Sequence, residues 1–483
     1  MKNIVKVIPI VLLCFLVRAN EQDNEQDVAG QLDEFIVEME KQAIFSGSIA
    51  VIENGENIFS KSVGYADASK AKPVEKYAVF NIGSISKGFT AMSILLLVED
   101  SKLQLENSLS TYFPELPNWA EKITISHLLS HSSGLPANGY QPYLDNTKII
   151  PKLRTVTEIE FQPGEDTLYG SYGYQLLAMV VERITEQPFG AFVQDRIFVP
   201  LNMKYSYVLG TEPRTTAQLA IGYEFGRGNV PQDFTTGASN VYSNVSDLLK
   251  WERALSNNAL VKQATLQQAL TPSKCWGNDC RLNADFGIGV YKNDELWGIH
   301  HHGGFGGYQS MLYRFPEKNR AIVFTANNGL ELQYNDIRFT LISILDGESP
   351  AYPKKDAHIM YYDVLMNKGL DEAKSAFISM RKKSDIYDVN EKDINSIGYF
   401  LLGNNHAELA VETFKFCSEQ FPDSANIWYS YGEALETAKD IKGARHAYEK
   451  ALKLVTANQN EKLAASIKKN LQRVKALTEL TES

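Results

Sequence analysis

Apolar residues recur at helical spacing over 31–44, which predicts an amphipathic helix. The period then changes to two. Gly47 to Glu53 and Asn57 to Tyr65 alternate as the arms of a β-hairpin, with Asn54-Gly55 as its turn. Further on, Met92-Ser-Ile-Leu-Leu-Leu-Val98 is apolar nearly all round and predicts a buried helix. Leu296 to His300 reads as a strand. The last third of the chain has another rhythm. Ile394, Ile397, Gly398, Leu401, Ala410, Phe414, Cys417 and Pro422 form one set; Trp428, Tyr431, Gly432, Leu435, Ala444, Tyr448 and Ala451 form the next, offset by 34 residues.

That offset resembles the tetratricopeptide repeat, in which small residues let paired helices pack closely. Residues 360–392 read as helical and as a degenerate third unit, with Gly369, Ala373 and Phe377 as its markers. Leu463, Ile467, Leu471, Val474 and Leu477 make an apolar stripe that suits a capping helix. Two units are short for an independent array. The array is therefore expected to lean on the domain before it or on this cap. The resemblance implies either a groove for a peptide or protein partner, or a structural appendage.

Candidate chemistry lies in the middle of the chain. Ser84 opens the buried helix and Lys87 follows one turn on, so the two side chains share a face. A serine hydroxyl needs a base beside it, and a poorly solvated lysine can shed its proton and serve as one. The helix N-terminus favours negative charge developing near Ser84. Ser-x-x-Lys is not rare, for it also occurs at Ser69, Ser379 and Ser466. Context distinguishes Ser84. Thr124-Ile-Ser-His-Leu-Leu-Ser-His-Ser-Ser-Gly-Leu-Pro136 follows it, then Pro163 to Leu177 with Tyr169-Gly-Ser171, then Asn240 to Trp251, then His301-His-Gly-Gly-Phe-Gly-Gly-Tyr308.

In this order the segments resemble the serine β-lactamase and penicillin-binding hydrolase family, most like its class C and esterase-type branch, over roughly residues 30–345. The resemblance implies an α/β (α+β) domain, an antiparallel sheet flanked by helices, followed here by the all-α tetratricopeptide-like region. The expected domains are a signal peptide at 1–19, the hydrolase domain at 20–350 and the helical repeats at 355–483. Ser84 would be the acylated nucleophile, and Lys87 would manage its proton, alone or with Tyr169. His301 would take the His-x-Gly position; the register counted back from Gly307-Tyr308 selects it among three histidines. The backbone N–H groups of Ser84 and Gly304 would form the oxyanion hole, with Ser171, His302 and Gly303 lining the substrate. Ser171 stands where class C β-lactamases carry Asn, and His301 stands where others carry Lys. Both weaken the case for β-lactam hydrolysis more than that for an ester or a D-amino-acid peptide. The same departures motivate an alternative, a non-turnover penicillin-binding sensor or scaffold whose repeats recruit a protein.

Other groupings are read structurally. His300, His301 and His302 alternate faces on a strand and cannot converge on a metal. His127 and His131, i and i+4 on an expected helix, are assigned to the turn leading into Ser133-Gly134-Leu135-Pro136. The glycines at 303, 304, 306 and 307 lack a Walker lysine and suit close backbone approach to a substrate. Tyr172 and Tyr174 are expected in the core. No metal and no cofactor is expected.

Composition adds bounds. The 483 residues carry 48 Lys+Arg and 58 Asp+Glu, a net charge of -10, which disfavours a nucleic-acid partner. Lys2 and Lys6, an apolar stretch from Val7 to Val17 and small-residue cleavage after Ala19 read as a secretory signal, hence a secreted or periplasmic protein; an uncleaved membrane anchor is the alternative. Cys14 is not read as a lipid site, because Leu13 precedes it. Cleavage removes Lys2, Lys6 and Arg18, leaving 45 − 58 = −13. In an oxidising compartment Cys275 and Cys280 form either a local disulfide or two free thiols, and Cys417 reads as a buried inert thiol.

Overall fold

The computed structural model describes residues 28–137, 146–211, 214–224, 228–229, 237–329, 334–403, 406–457 and 460–482. The expected leader at 1–19, with Cys14, lies outside them. The chain divides into two compact units between Pro353 and Lys354.

The first unit is built on an eight-stranded sheet: β1 (Gly47–Glu53), β2 (Glu56–Val63), β3 (Pro272–Trp276), β4 (Asp279–Leu282), β5 (Ile288–Lys292), β6 (Glu295–Phe305), β7 (Tyr308–Phe315) and β8 (Arg320–Ala326), in the order β2-β1-β8-β7-β6-β5-β4-β3. Every pairing is antiparallel. The predicted hairpin is β1–β2. Asn54 and Gly55 both take positive φ at its turn, as such a tight turn requires.

Side chains alternate across the sheet, and both faces are covered. Ile49 and Val51 of β1 and Ile322 and Phe324 of β8 join one core, with Leu32, Phe35, Ile36 and Met39 of α1 (28–41). Ala50 and Ile52 of β1 and Ala321 and Val323 of β8 face the other core, which holds α2 (Ser86–Glu99), α3 (Tyr172–Thr185) and α4 (Val245–Ser256). Helix α5 (Tyr334–Leu345) adds Ile337, Leu341 and Ile344 to the first core. Helix α2 is buried from Ser86 to Leu97, as its all-round apolar sequence requires.

Three boundaries differ from expectation. The first helix ends at 41, because Ala43 turns with φ 57° into β1. Ser84 precedes α2 in a 3₁₀ turn, Gly83–Ile85. The strand read as ending at His300 runs on through the His-His-Gly segment to Phe305, because Gly303 and Gly304 pair with Ser310 and Gln309 of β7. Cys275 and Cys280 face each other across β3 and β4 and are disulfide-bonded.

The second unit is helical: α6 (Ala357–Lys368), α7 (Leu370–Arg381), α8 (Glu391–Gly403), α9 (Ala407–Gln420), α10 (Ala425–Thr437), α11 (Ile441–Ala457) and α12 (Glu461–Glu482). Gly398 of α8 lies against Phe414 of α9, and 34 residues later Gly432 of α10 lies against Tyr448 of α11. A Cβ at either glycine would sit 2.3 Å or 2.5 Å from the ring. Ile467, Leu471 and Val474 of α12 close the core over Ala444, Tyr448 and Ala451, while Leu477 at the end of the stripe is exposed. Cys417 is buried and free. Within 360–392, α6 and α7 form a further helix pair, with Ala373 and Phe377 buried and the Phe377 ring against Tyr361. Gly369 joins α6 to α7 at φ 101° instead of facing a ring, and Tyr387–Asp388 forms a short strand parallel to Lys355–Asp356.

Candidate active site

The turn carrying Ser84 is held from three sides. Asn81 Oδ1 accepts the Gly83 N–H at 2.7 Å. Ser310 Oγ of β7 donates to the Ile82 carbonyl at 2.7 Å. Strand β6 comes so close that a Cβ on Gly303 would lie 2.0 Å from the Ile82 oxygen, and one on Gly83 would lie 2.8 Å from the Gly304 nitrogen. This contact brings the Gly304 N–H to the Ser84 turn. Pairing with β5 stops at Ile288↔His300, so among the described residues the β5-side edge of 301–305 has no strand partner. The glycines here thus serve close approach between backbone segments: Gly303 to Ile82, and Gly307 to Gly222 and Tyr223.

Lys87 is 1% exposed. Its Nζ donates to Ser84 Oγ at 3.1 Å and to the Ala238 carbonyl at 3.0 Å, and lies 4.9 Å from the centre of the Tyr169 ring. The segment from Asn240 frames this side. Val241 N–H bonds to Ser86 Oγ, and Asn240 Oδ1 accepts from Gly237. Burial drives the Lys87 pKa down to about 8, against the attraction of Asp285 and with help from Arg281. Tyr169 is 41% exposed as a residue, while its hydroxyl is buried and bonds with Ser84. Burial, then the Asp285 charge, hold that phenol far above its usual range; the Ser84 bond and Arg281 oppose them more weakly.

Alternation on β6 sorts the three histidines. His301 is buried, with Nε2 3.6 Å from Asp285 Oδ1. Burial drives its pKa down to about 4, so it is neutral near pH 7. His302 lies on the opposite face, bonded to Gln309, and His300 packs on Tyr313. The expected substrate-lining position of His302 therefore faces away from His301, since successive strand residues alternate. Ser171 is partly buried and is the N-cap residue of α3, two residues after Tyr169.

The sequence reading missed a buried cluster beside these groups. His131 is not on a helix with His127, because that helix (Ile125–Leu129) stops short and His131 turns at φ 57°. His127 Nδ1 instead accepts the Thr124 N–H in the N-cap. His131 Nε2 lies 3.0 Å from Asp285 Oδ2, and its ring packs on Tyr169 at 4.5 Å between centroids. Burial opposes the charge of Asp285, but His301, His131 and Arg281 outweigh it and hold the carboxyl below its usual range. Tyr174, expected in the core and fully buried, donates to the Leu129 carbonyl and accepts the Asp285 N–H. Arg281, beside the disulfide, lies 5.1 Å over the Tyr169 ring. His131 stood within a quoted motif; Asp285 and Arg281 carried no signal.

A profile described as Beta-lactamase matches residues 32–345. The chain belongs to the β-lactamase family. Penicillin-binding protein 4* of Bacillus subtilis (strain 168) is 27% identical over 343 residues, covering 65% of this chain and 75% of that protein. The octameric penicillin-binding protein homologue from Pyrococcus abyssi superposes with a TM-score of 0.60 at 25% identity, over 70% of this chain and 81% of the other. A class C beta-lactamase shares the fold, with a TM-score of 0.59 at 21% identity over 68% and 98% of the two chains. The family is one of serine hydrolases that work through an acyl-enzyme. In this β-lactamase-family chain, Lys87 and Tyr169 both bond with Ser84, Gly304 abuts the turn that carries it, and His301 faces Asp285. No helix among the described residues is long and apolar enough to cross a membrane.

Proposed function

We propose that this protein hydrolyses an ester or a D-amino-acid peptide bond through an acyl-enzyme on Ser84. The observation that carries the reading is the buried Lys87 ammonium 3.1 Å from Ser84 Oγ, with its pKa drawn down to about 8. About one lysine in ten is then neutral at pH 7. Neutral Nζ takes the Ser84 proton as Oγ bonds to the substrate carbonyl carbon. The carbonyl electron pair moves to oxygen, which the N–H groups of Ser84 and Gly304 hold. Collapse breaks the bond to the leaving alcohol or amine, which receives the proton from Lys87 by way of the Tyr169 hydroxyl. Water repeats the sequence and frees the acid. Lys87 is the base in this scheme because the Tyr169 phenol is held far above its ordinary range; Tyr169 donates and relays. Neutral His301 offers no fixed ammonium for a substrate carboxylate, which supports an ester without a carboxylate over a β-lactam. Ser171 and Gly303 would border the acyl group.

The leader at 1–19 supports export to the periplasm or medium. For the helical unit, paired helices at 34-residue spacing support a peptide or protein partner. The test of the catalytic reading is mass spectrometry after incubation with a fluorophosphonate. One adduct is expected on the wild type and none on Ser84→Ala; an adduct surviving the substitution overturns the assignment. A panel of p-nitrophenyl acetate, a D-Ala-D-Ala peptide and a chromogenic cephalosporin then ranks substrates. A stable adduct with no turnover of any of them would favour a sensor.

A further inference from the structure

Asp285 lies between β4 and β5, is 1% exposed, and is used by no step above. Each of its oxygens faces a different histidine, His131 at 3.0 Å and His301 at 3.6 Å. His131 Nδ1 accepts the Gly170 N–H at 3.5 Å, so its own proton sits on Nε2 and points to Asp285. The His131 carbonyl accepts the Leu168 N–H at 2.8 Å. The residues on both sides of Tyr169 are therefore tied to His131, Leu168 through its backbone carbonyl and Gly170 through its imidazole, and that imidazole is tied to Asp285. The Asp285 N–H is bonded by the Tyr174 hydroxyl, which fixes the carboxylate in turn.

The same carboxylate acts on Lys87. The amine is faced by Ser84 and the Ala238 carbonyl, by the rings of Tyr169 and Tyr174, and by the charges of Asp285 and Arg281, with His131 and His301 within electrostatic reach. Of the two charges, Asp285 is the anion and Arg281 the cation. A buried anion near a lysine favours the protonated amine, the form that appears as Ser84 attacks.

We propose that Asp285 is a positioning residue for acyl transfer at Ser84: it anchors the Tyr169 segment through His131, faces His301 from the other side, and supplies the negative charge that stabilises the proton arriving on Lys87. This rests on the reading of Ser84 as nucleophile. Asp285 itself touches neither substrate nor Ser84; it works through Lys87 and the two histidines.

The test is the pH profile of ester turnover by the full chain carrying Asp285→Asn. Removing the anion is expected to lower kcat about a hundredfold, the lower end of general acid–base effects. It should also move the acid limb of the profile about one pH unit lower, since the Lys87 ammonium loses its counter-charge. Arg281→Gln should move that limb the opposite way. A fall in kcat with an unmoved limb makes Asp285 merely structural and overturns the proposal, as does unchanged kcat. Should Asp285→Asn not fold, the wild type still decides. Proton–nitrogen NMR should show His131 and His301 neutral and protonated on Nε2 near pH 7; either ring protonated on Nδ1 overturns it. Fluorophosphonate labelling of both proteins separates the two ideas. No label on wild-type Ser84 sinks the nucleophile reading, whereas a labelled wild type with an unmoved limb in the variant sinks only the role of Asp285.

Discussion

Both units use glycine to bring chain segments unusually close, but to different ends. In the helical unit the contact is glycine against ring, and it occurs twice, Gly398 on Phe414 and Gly432 on Tyr448. In the hydrolase unit, Gly303 lies backbone against backbone on Ile82, beside the turn that carries Ser84. A repeated contact distributes its load, and its partner is a side chain with some freedom to shift. At Gly303 the partner is a carbonyl fixed within a turn, and the geometry being set is that of the proposed nucleophile. The difference predicts where a single methyl group stops chemistry and where it only costs stability.

The largest effect should follow Gly303→Ala. The new Cβ would lie 2.0 Å from the Ile82 oxygen and 2.5 Å from Ser310 Oγ, so β6 must retreat from the Ser84 turn. A displacement of about 1 Å costs roughly a hundredfold in rate. Ester turnover should fall by at least that much. Retention of more than a tenth of wild-type kcat/KM would mean that the close approach does not set the oxyanion geometry.

The next test asks whether the hydrolase unit depends on one titration. Lys87 must be neutral to accept the Ser84 proton. Log kcat/KM for a non-ionising ester should therefore rise by about one per pH unit below about 8 and level off above it. Stability moves the same way. Folding lowers this pKa from 10.5 to about 8, so the unfolded chain binds the extra proton between those values, and stability rises with pH across that window. An acid limb centred near 6 would point away from Lys87 as the base.

The two units also differed in how much the sequence disclosed. The 34-residue offset is visible by comparing the chain with itself, and the glycine and aromatic positions it aligns are the ones that meet. The hairpin at Asn54-Gly55 and the buried α2 follow from local pattern, and the family order singles out Ser84, Lys87, Tyr169 and His301, which the fold brings near one another. What stayed hidden depends on long-range meetings. Asp285 reaches His131 across 154 residues, and no local spacing encodes that pair. His131 was read onto a helix because i, i+4 spacing suits one, yet the helix ends before it. The further helix pair at 357–381 is only partly legible: Ala373 and Phe377 are buried in it, but Gly369 sits at the helix junction and meets no ring.

Smaller and confined effects are expected from Gly398→Ala and Gly432→Ala. Each Cβ would meet a ring that can give way, at an overpacking cost of about 1–3 kcal/mol. Calorimetry should show the two substitutions lowering the same transition by similar amounts, with ester kcat/KM unchanged. Unequal losses would mean that the two contacts are alike in spacing but not in load.

The smallest effect should be that of His302→Ala, and it tests how local the hydrolase unit's dependence is. His302 adjoins both His301 and Gly303 in sequence. Strand alternation nevertheless places it on the opposite face, bonded to Gln309, which in turn donates to the Gly329 carbonyl. Its loss should change kcat/KM by less than about threefold, under about 0.7 kcal/mol at the transition state. His301→Ala, one residue away, faces Asp285 and should cost more than about tenfold through the lost electrostatic and packing contacts of a buried site. Equal losses from the two variants would place His302 against the substrate after all. In that case the face of β6 assigned to structure would have to be redrawn as part of the cleft.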